Sequence, residues 1–379
     1  MKYKYNILFI FPSIFNPLNG GVERVSDYLI KSFRLLGHNV YSLHYNQNCS
    51  DEYKDEFTFF LPNNRLYSTE NVNFFIDLQR ELGVDIIICQ KSLFEDVYFF
   101  SDNCLKNIKK IAVFHSDLNC IEKEFLSNVS FSHINLKEII INLKTYAGIR
   151  YRRYIHYLNI IRKFDKIIFL NNNSKNKFAL RYPFTSEKLE VINNPVKINM
   201  AHNQKQNIVL FVGRFAKEKC VERLIRIWKA IYQDIPDWKL VLIGYGPEQN
   251  KCKQIAINEN LQRIYFKDKL NPMYYYSISS IFCLTSTYEG WPMTLLEALS
   301  YETVPILFNS FSSAKEIINN NGILVKPFNE KAYAKELKNL IINNSYRESL
   351  KNNAINSIKD FNIDNIANKW CSVFDALMK

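Results

Sequence analysis

The sequence lacks any apolar run near the length of about 18 residues that a membrane-spanning helix requires. Its first residues, Met1 to Lys4, are basic and do not have the pattern of a cleavable signal peptide. We therefore expect a protein of the cytoplasm that is soluble or attaches peripherally to the cytoplasmic face of a membrane.

The sequence also lacks the patterns that several classes of site require. The eight cysteines are scattered, and no two of them form a Cys-x-x-Cys pair. This spacing is typical of cytosolic cysteines that remain reduced. There is no Asp-x-Asp pair and no His/Cys cluster with metal-ligand spacing. The absence of a Gly-x-Gly-x-x-Gly fingerprint and of a P-loop argues against a nicotinamide dehydrogenase or an ATPase. The sequence therefore predicts neither a metal nor a cofactor.

Basic residues outnumber acidic residues by 49 to 37, which gives a net charge of +12. Such an excess indicates an acidic partner, which can be nucleic acid, an anionic membrane or a phosphate-bearing substrate. The sequence has no helix-turn-helix, zinc-finger or RNA-recognition signature. We therefore expect no nucleic-acid partner.

The excess charge is concentrated in residues 137–200, which contain 13 Lys or Arg and 4 Asp or Glu. Within residues 137–163 the basic side chains are interleaved with Ile, Leu and Tyr at helical spacing. This pattern fits contact with anionic lipid headgroups, and it also fits an ordinary surface helix with solvated charges. The interleaved residues are Lys137, Ile139, Ile140, Leu143, Lys144, Tyr146, Arg150, Tyr151, Arg152, Arg153, Tyr154, Tyr157, Ile161, Arg162 and Lys163.

Short apolar runs rich in Ile, Val and Phe recur along the chain, separated by stretches of helical periodicity. Runs of four or five apolar residues are typical of parallel strands that are buried on both faces. Apolar residues three or four apart between Val22 and Leu36, followed by Gly37, predict a helix that ends there. The runs are Ile7–Phe11, Ile86–Cys89, Ile111–Phe114, Ile167–Leu170, Ile208–Val212, Leu240–Ile243 and Ile281–Leu284.

The strand–helix alternation begins at Ile7 and begins again at Ile208, after a polar stretch from Asn199 to Asn207. This restart predicts an α/β protein with two doubly wound domains of similar size, divided at residue 200. In such domains ligands bind at the carboxyl ends of the strands. We therefore expect those ends to face a cleft between the two domains.

The most distinctive motif runs from Thr285 to Ala298, after the last of these apolar runs. Pro292 suits the first position of a helix. The N–H groups behind it would then be free to bind an anion such as a pyrophosphate. Glu289 and Glu297 flank this helix start, where carboxylates would bind the hydroxyls of a ribose and a sugar. The N–H groups belong to Met293, Thr294, Leu295 and Leu296.

Two further strand ends in the second half carry candidate phosphate and nucleotide contacts. Arg214 and Lys219 follow the first strand, where Gly213 is expected to allow a sharp turn. Arginine can bind phosphate oxygens bidentately, and lysine adds a point charge. Gly244 and Gly246 form a tight loop after the next strand, although many strand-to-helix turns have this composition.

The first half carries two candidate contacts. Gly20 and Gly21 open the helix that begins near Val22, and glycines there allow a ligand to approach the helix N-terminus closely. His115 directly follows the strand predicted at Ile111–Phe114. This histidine could contact a sugar or transfer a proton, and a purely structural role is the alternative.

Together these motifs resemble the retaining glycosyltransferases of family 4, which have the GT-B fold. The most specific match is the segment from Glu289 to Glu297, which fits the Glu-x7-Glu motif of that family. Gly213-Arg214 with Lys219 is similar to its phosphate clamp. Residues 191–196 resemble the family's segment before the interdomain linker, and the first half is similar mainly at residues 20–24 and 115–116.

The resemblance implies two Rossmann-like domains that face a cleft. Residues 1–200 would form the acceptor-binding domain and residues 201–360 the domain that binds a nucleotide-sugar donor. A C-terminal helix within residues 361–379 would cross back to the first domain.

The resemblance also implies a role for each candidate residue. The diphosphate would be held by Arg214, Lys219, Gly21 and the helix start at Met293, Thr294 and Leu295. Glu297 would bind the ribose, and the loop of Gly244 and Gly246 would lie on the nucleotide side. Glu289 would face the donor sugar, and His115 would lie near the donor sugar and the acceptor. This chain departs from the family pattern at Cys220, where a glycine is usual, at residues 300–305 and at Ser312-Ser313.

We therefore expect a metal-independent, retaining enzyme that moves a hexose or N-acetylhexosamine from a nucleotide diphosphate sugar, with UDP as the expected nucleotide. The acceptor would be a glycan or a lipid-linked sugar in surface polysaccharide or glycolipid biosynthesis. The enzymatic alternatives are a GT-B nucleotide-sugar epimerase or a phosphorylase. The non-enzymatic alternative is a basic protein that binds nucleic acid or a membrane.

Overall fold

The computed structural model describes residues 3–12, 20–45, 55–129, 136–199, 203–268 and 270–379. The chain divides into two compact units. Unit 1 consists of Met1–Pro195 together with Ile363–Lys379, and unit 2 is Val196–Asn362. Of the predicted features, Met1, Lys2, Cys49 and the domain boundary at residue 200 lie outside the described residues.

Unit 1 is built on a parallel sheet of seven strands within its described residues, in the order β3-β2-β1-β4-β5-β6-β7. The strands are β1 (Asn6–Phe11), β2 (Asn39–His44), β3 (Thr58–Phe60), β4 (Ile86–Cys89), β5 (Lys109–Phe114), β6 (Lys166–Phe169) and β7 (Leu189–Val191). The helices between them are α1 (Gly21–Leu35), α2 (Thr69–Glu81), α3 (Val97–Asp102), α4 (Cys120–Asn128), α5 (Leu136–Lys163) and α6 (Asn172–Arg181).

Unit 2 has a second parallel sheet, with six strands within its described residues in the order β10-β9-β8-β11-β12-β13. Its strands are β8 (Gln206–Val212), β9 (Lys239–Ile243), β10 (Ile264–Lys267), β11 (Ser279–Leu284), β12 (Val304–Phe308) and β13 (Ile323–Val325). Its helices are α7 (Val221–Lys229), α8 (Gln249–Asn258), α9 (Met273–Ile278), α10 (Met293–Ser300), α11 (Ala314–Ile317), α12 (Glu330–Ile342) and α13 (Asn344–Ile358).

The prediction of an α/β fold is confirmed, because every apolar run singled out in the sequence coincides with a strand, with Leu170 alone extending one residue beyond β6. These strands are almost completely buried; Ile7, Ile86 and Ile281, for example, have no exposed surface. The strands that lack a continuous apolar run were missed. β12 is one of them, because Pro305 interrupts its pattern and a proline normally argues against a central strand.

The first helix is also as predicted. α1 begins at Gly21 and ends at Leu35, and Gly37 has a φ of 94°, which a glycine adopts without steric cost. Val25, Leu29 and Phe33 lie on its buried face. The three-to-four spacing of the apolar residues therefore identified the face that packs on unit 1.

The chain passes between the two units at Pro195/Val196 and at Asn362/Ile363. Val196 forms a parallel bridge with Asn362, and its N–H donates to the carbonyl of Phe361 at 2.8 Å. The two passages are therefore hydrogen-bonded neighbours. The contact-based boundary lies five residues before the predicted division at residue 200.

After the second passage the chain forms α14 (Ile363–Leu377), which packs in unit 1 against α1. Phe374 is completely buried, and its ring lies 5.3 Å from that of Phe33. Tyr5 donates to the carboxylate of Asp375 at 2.8 Å. Helix α14 therefore covers the apolar face of α1 and closes the core of unit 1 on that side.

Helix α5 contains the basic segment and divides it into two parts. Residues 137–152 are mostly exposed, whereas Arg153, Tyr157 and Ile161 are buried in unit 1. Arg153 forms an ion pair with Glu122 at 2.5 Å, so these three residues cannot contribute to a lipid-facing surface. Within the described ranges, none of the helices has both the length and the apolar character needed to cross a membrane.

The packing of α14 leads to a stability prediction. Phe374→Ala should lower the free energy of unfolding of unit 1 by about 3–5 kcal/mol, because it leaves a cavity beside Phe33. The measurement is urea unfolding, with hydrogen exchange of α1 amides as a local readout. Lys369→Ala, on the exposed face of the same helix, is the control. Equal unfolding midpoints for the two variants would contradict this role of α14.

Candidate active site

The sheet of unit 2 changes direction between β8 and β11. β8 pairs with β9 on one side and with β11 on the other. The chain therefore leaves these two neighbouring strands in opposite directions. In parallel α/β sheets, ligands bind at the carboxyl ends of the strands at such a switch point. The predicted phosphate clamp follows β8 and the Glu-x7-Glu motif follows β11, so both begin at this position.

The loops that follow β8 and β11 are joined by hydrogen bonds. The N–H of Thr287 donates to the carbonyl of Glu218 at 2.7 Å. The hydroxyl of Thr285 donates to the carbonyls of Lys219 and Cys220 at 3.0 and 3.1 Å. The fold therefore brings together two segments that lie about 70 residues apart in sequence.

The joined loops bring Lys219 and Glu289 into contact. The ammonium of Lys219 lies 2.5 Å from Oε1 of Glu289, and both side chains are largely buried. The hydroxyl of Ser286 donates to the same carboxylate oxygen at 2.7 Å. Because water screens a buried pair less than an exposed one, this interaction fixes both side chains firmly.

Arg214 is held much more loosely. Its side chain is 66% exposed, and its guanidinium lies 3.1 Å from a carboxylate oxygen of Glu218, one helical turn further along the chain. An exposed pair of this kind contributes little to stability. Arg214 can therefore exchange its partner for a phosphate at small cost.

Helix α10 begins one residue later than predicted. Pro292 has a ψ of 103° and is the N-cap rather than the first helical residue. The N–H groups of Leu295 and Leu296 donate to its carbonyl, so the prediction that these two groups are free is wrong. Within the described part of the chain, the N–H groups of Met293 and Thr294 have no partner and are available to an anion.

Glu297 is the most buried of the predicted site carboxylates. It is 3% exposed, and Tyr276 donates its hydroxyl to Oε2 at 3.0 Å. The ring of Tyr301 stacks on that of Tyr276. Tyr276 comes from α9, which no motif in the sequence connected with the site.

The glycine loop after β9 packs directly on the loop after β8. Gly244 has a φ of 136°, and a Cβ on it would lie 2.0 Å from the carbonyl oxygen of Gly213. Gly246 has a φ of 153°, and a Cβ on it would lie 2.5 Å from the carbonyl oxygen of Phe215. Gly213 itself does not have a positive φ. The need for glycine therefore lies at residues 244 and 246 rather than at the expected sharp turn at Gly213.

Unit 1 has its own switch point, between β1 and β4. Gly20 is the extended N-cap of α1, and Gly21 is an exposed residue in its first turn. The carboxylate of Glu23 lies 3.2 Å from the ammonium of Lys91, which follows β4. The first turn of α1 and the segment after β4 are therefore joined by an ion pair.

His115 follows β5 and contacts Gln90, which follows β4. Nε2 of His115 lies 2.5 Å from Oε1 of Gln90. Burial, with a smaller contribution from Lys91, lowers the pKa of His115 to about 3. The ring is therefore neutral at physiological pH and suited to hydrogen bonding rather than to donating a proton as an imidazolium. Its neutral form favours folding above pH 6.5, and this contribution is lost as the pH falls towards 3.

The described residues contain no group of three or more His, Cys, Asp or Glu side chains that could hold a metal ion.

Two family models match this chain almost end to end. The Glycosyltransferase Family 4 model matches residues 19–199, and the Glycosyl transferases group 1 model matches residues 196–357. The chain belongs to these glycosyltransferases. The resemblance to this family is therefore confirmed. Because glycosyltransferases are transferase enzymes, the expectation of an enzyme is confirmed as well.

Curated relatives of this glycosyltransferase agree with that assignment. The amylovoran biosynthesis glycosyltransferase AmsD of Erwinia amylovora is 28% identical over 222 residues, which is 56% of this chain and 62% of AmsD. An alpha-1,4-N-acetyl-D-galactosaminyltransferase of Campylobacter jejuni, named for a diNAcBac-PP-undecaprenol-linked substrate, is 30% identical over 181 residues. That match spans 44% of this chain and 47% of the relative. The matched regions thus span less than two thirds of both relatives.

Solved structures match the glycosyltransferase over nearly its whole length. The pneumococcal O-GlcNAc transferase GtfA, solved with UDP and GlcNAc, has a TM-score of 0.76 at 13% identity. It aligns with 98% of this chain over 99% of its own. The lipopolysaccharide outer core galactosyltransferase WaaB has a TM-score of 0.69 at 20% identity, with the same coverage. These similarities establish the GT-B fold.

Several residues of the site were given no role from the sequence, although two of them lie in the motif from Thr285 to Ala298. Thr285 and Ser286 directly follow β11, and Gln90 and Lys91 directly follow β4. Polar residues immediately after a buried parallel strand are a signal for a ligand-binding edge. That signal would have identified all four. Tyr276 has no such signal, because its contact with Glu297 depends on tertiary packing.

Cys220 shows why a glycine is usual after the clamp lysine. It has φ 48° and ψ 45°, the left-handed conformation, between a short 3₁₀ turn and α7. This conformation costs a residue with a Cβ about 1–2 kcal/mol. The glycosyltransferase therefore retains strain next to Lys219.

Replacing Cys220 should release this strain. We expect Cys220→Gly to be more stable than Cys220→Ala by about 1 kcal/mol, because both remove the thiol and only glycine relaxes the backbone. Urea unfolding of both variants measures the difference. An alanine variant as stable as the glycine variant would show that position 220 is not strained.

Proposed function

We propose that this chain transfers a hexose or N-acetylhexosamine from a UDP-sugar to a glycan or lipid-linked acceptor in surface polysaccharide or glycolipid biosynthesis. Support for the pathway comes from the names of relatives such as AmsD and the Campylobacter jejuni transferase. Support for UDP comes from GtfA, which was solved with UDP and GlcNAc. We further propose that the reaction retains the anomeric configuration and needs no metal.

The observation that carries the proposal is the group of cations and free N–H groups at the switch point of unit 2. Lys219 is fixed by Glu289, Arg214 is loosely held, and the N–H groups of Met293 and Thr294 are unpaired among the described residues. These groups suit a diphosphate, which carries negative charge and many acceptor oxygens. The negative charge of the diphosphate also determines how these groups act on it during the reaction.

In the proposed reaction the bond between the anomeric carbon and the phosphate oxygen breaks, and its electron pair stays on that oxygen. The acceptor oxygen bonds to the anomeric carbon on the same face of the sugar, and its proton passes to the phosphate oxygen. Negative charge therefore grows on the leaving diphosphate. Lys219 and Arg214 stabilise this charge as it develops, the role that a metal ion plays in other transferases.

The carboxylates have different parts in the proposal. Glu289 faces the donor sugar, where its interactions with Lys219 and Ser286 fix the orientation of its carboxylate. Glu297 binds the ribose hydroxyls by exchanging its bond to Tyr276 for one to the ligand. Within unit 1, Gly21 leaves the start of α1 open to a ligand, and His115 is a neutral hydrogen-bonding group for a sugar.

Substitution of Lys219 tests the proposal. Lys219→Met should lower the rate of UDP release from a UDP-sugar by about 10²–10³-fold, because one cation at the leaving group is lost. The assay is initial-rate UDP release with UDP-glucose, UDP-galactose, UDP-GlcNAc and UDP-GalNAc. The matched control is Lys217→Met, which removes the same charge from an exposed position in the same turn.

The control should retain the rate of the wild-type protein. Equal rates for the Lys219 and Lys217 variants would contradict the role of Lys219 at the diphosphate. Failure of the wild-type protein to release UDP from all four donors would contradict the proposed donor class. Calorimetric binding of UDP alone distinguishes a lost binding step from a lost chemical step.

We also propose that α5 attaches the protein to an anionic membrane. In its exposed part, Lys137, Lys144, Arg150 and Arg152 outnumber the single acidic residue Glu138. Apolar side chains lie among these charges; Ile141, Leu143 and Tyr151 are 52, 63 and 67% exposed. Apolar side chains that enter the headgroup region, flanked by cations, are typical of interfacial helices.

The exposed apolar surface continues beyond α5. Leu180 and Phe184, at the end of α6 and in the turn after it, are 84 and 72% exposed. Arg181 lies between them in sequence, and its guanidinium is 5.6 Å from the ring of Tyr154 on α5. This contact joins the end of α6 to α5, and we include Leu180 and Phe184 in the proposed surface.

Neutralising two of these cations tests the membrane proposal. The double variant Arg150→Gln/Arg152→Gln should bind phosphatidylglycerol-containing vesicles about 30-fold more weakly, at about 1 kcal/mol for each charge. The measurement is co-sedimentation. Lys229→Gln/Lys338→Gln, with the same charge change on unit 2, should bind like the wild-type protein. Unchanged binding of the arginine variant would disprove the proposed surface.

A further inference from the structure

Two adjacent side chains in unit 1 have buried polar atoms without partners. Among the residues that the structure describes, neither Nε2 of Gln90 nor Nδ1 of His115 forms a hydrogen bond, and both atoms are shielded from water. The two side chains contact each other through their remaining polar atoms. A buried polar atom without a partner costs about 1–3 kcal/mol, so two in one place require an explanation.

The position of Gln90 is fixed by its surroundings. Its N–H donates to the carbonyl of Ile10 at 3.4 Å. Ser92, two residues further on, bonds to Val113 of β5 through both its N–H and its hydroxyl, the latter at 3.1 Å. Because β1 and β5 flank β4, the segment after β4 is held on both sides. The Gln90 amide therefore cannot reach other partners by a shift of its backbone.

The unsatisfied atoms always amount to one donor and one acceptor. If Nε2 of His115 donates to Oε1 of Gln90, the amide N–H₂ is the spare donor and Nδ1 is the spare acceptor. If the amide is turned over and donates to Nε2, Oε1 becomes the spare acceptor and Nδ1–H the spare donor. The conclusion therefore does not depend on the tautomer or on the orientation of the amide.

A hydroxyl group matches this pair, because it donates one hydrogen bond and accepts others. The side of the pair formed by His115 is partly exposed, at the carboxyl edge of the sheet and next to the switch point of unit 1. Its neutrality removes any preference for a charged ligand. Sugars carry many hydroxyls, whereas the diphosphate carries none.

We propose that Gln90 and His115 form a binding pair for a sugar hydroxyl and that Gln90 is a specificity-determining residue. The inference rests on the proposed glycosyltransferase function and adds a residue to it. The hydroxyl belongs to the donor sugar or to the acceptor sugar. The cost of the two unpartnered atoms is recovered when the sugar binds, so the pair discriminates against sugars that lack this hydroxyl.

Gln79 provides a matched control in the same unit. It is also buried, at 1% exposure, but its amide is fully bonded. Nε2 donates to the carbonyls of Phe75 and Asn103, and Oε1 accepts from the N–H of Leu105. Gln79 is therefore a structural glutamine, whereas Gln90 has an amide nitrogen without a partner among the described residues.

The test compares Gln90→Met with Gln79→Met, since methionine keeps the length of the side chain and removes its polar atoms. Gln79→Met should lower the melting temperature and leave sugar recognition unchanged, because it breaks three bonds in the fold. Gln90→Met should lower the melting temperature less, since it leaves no more unpartnered atoms than before, and it should weaken sugar recognition about 10-fold.

Two measurements distinguish the source of the hydroxyl. Calorimetry gives the Kd of UDP and the Kd of each UDP-sugar, and the ratio of the first to the second measures the contribution of the sugar. If the hydroxyl belongs to the donor, Gln90→Met raises the Kd of the UDP-sugar and leaves the Kd of UDP unchanged, so this ratio falls. For an acceptor hydroxyl the ratio is unchanged, and KM rises for transfer to a panel of p-nitrophenyl glycosides. Either result supports the pair.

The inference is overturned if Gln90→Met matches the wild-type protein in both measurements, or if it behaves like Gln79→Met and loses only stability. These outcomes leave the proposed function intact as long as the wild-type protein releases UDP from a donor. A wild-type protein that binds no UDP-sugar would overturn the proposed function, and the inference with it.

Discussion

Hydrogen bonds between the loops after β8 and β11 are the constraint on which the site of unit 2 depends. Thr285 and Thr287 bond to the carbonyls of residues 218–220, and this attachment brings Lys219 close to Glu289. These bonds fix the backbone at Lys219, and the ion pair with Glu289 then fixes the position of its ammonium. The strained conformation of Cys220 is the local cost of this arrangement.

The two units use the same sheet topology for different chemistry. At the switch point of unit 2 the side chains are charged and paired, as Lys219 and Glu289 illustrate. Unit 1 has a charged pair too, formed by Glu23 and Lys91, but beside it His115 and Gln90 are neutral, and two of their atoms have no partner among the described residues. Charged groups suit a phosphate and neutral ones suit a hydroxyl. The fold thus supplies equivalent positions, and a few residues at the strand ends decide what each one binds.

The sequence was informative where a pattern is local. Continuous apolar runs identified the buried strands, and the spacing of Glu289 and Glu297 identified the family. It could not show which part of α5 is covered, so Arg153 resembled Arg150 and Arg152 although it is buried against Glu122. Nor could it show bonds between distant segments, such as Tyr276 with Glu297. The start of α10 differed by one residue because Pro292 fits both the N-cap and the first turn.

Unit 2 lies in the chain as an insertion within unit 1, with its two ends joined at Val196 and Asn362. The order of synthesis follows from this arrangement. All of unit 2 is made before α14, so it can fold while unit 1 still lacks one of its helices. Until residues 363–377 are made, the face of α1 that packs on Phe374 has no cover. Exposed apolar surface of this kind is prone to aggregation, and a nascent chain would expose it throughout the synthesis of unit 2.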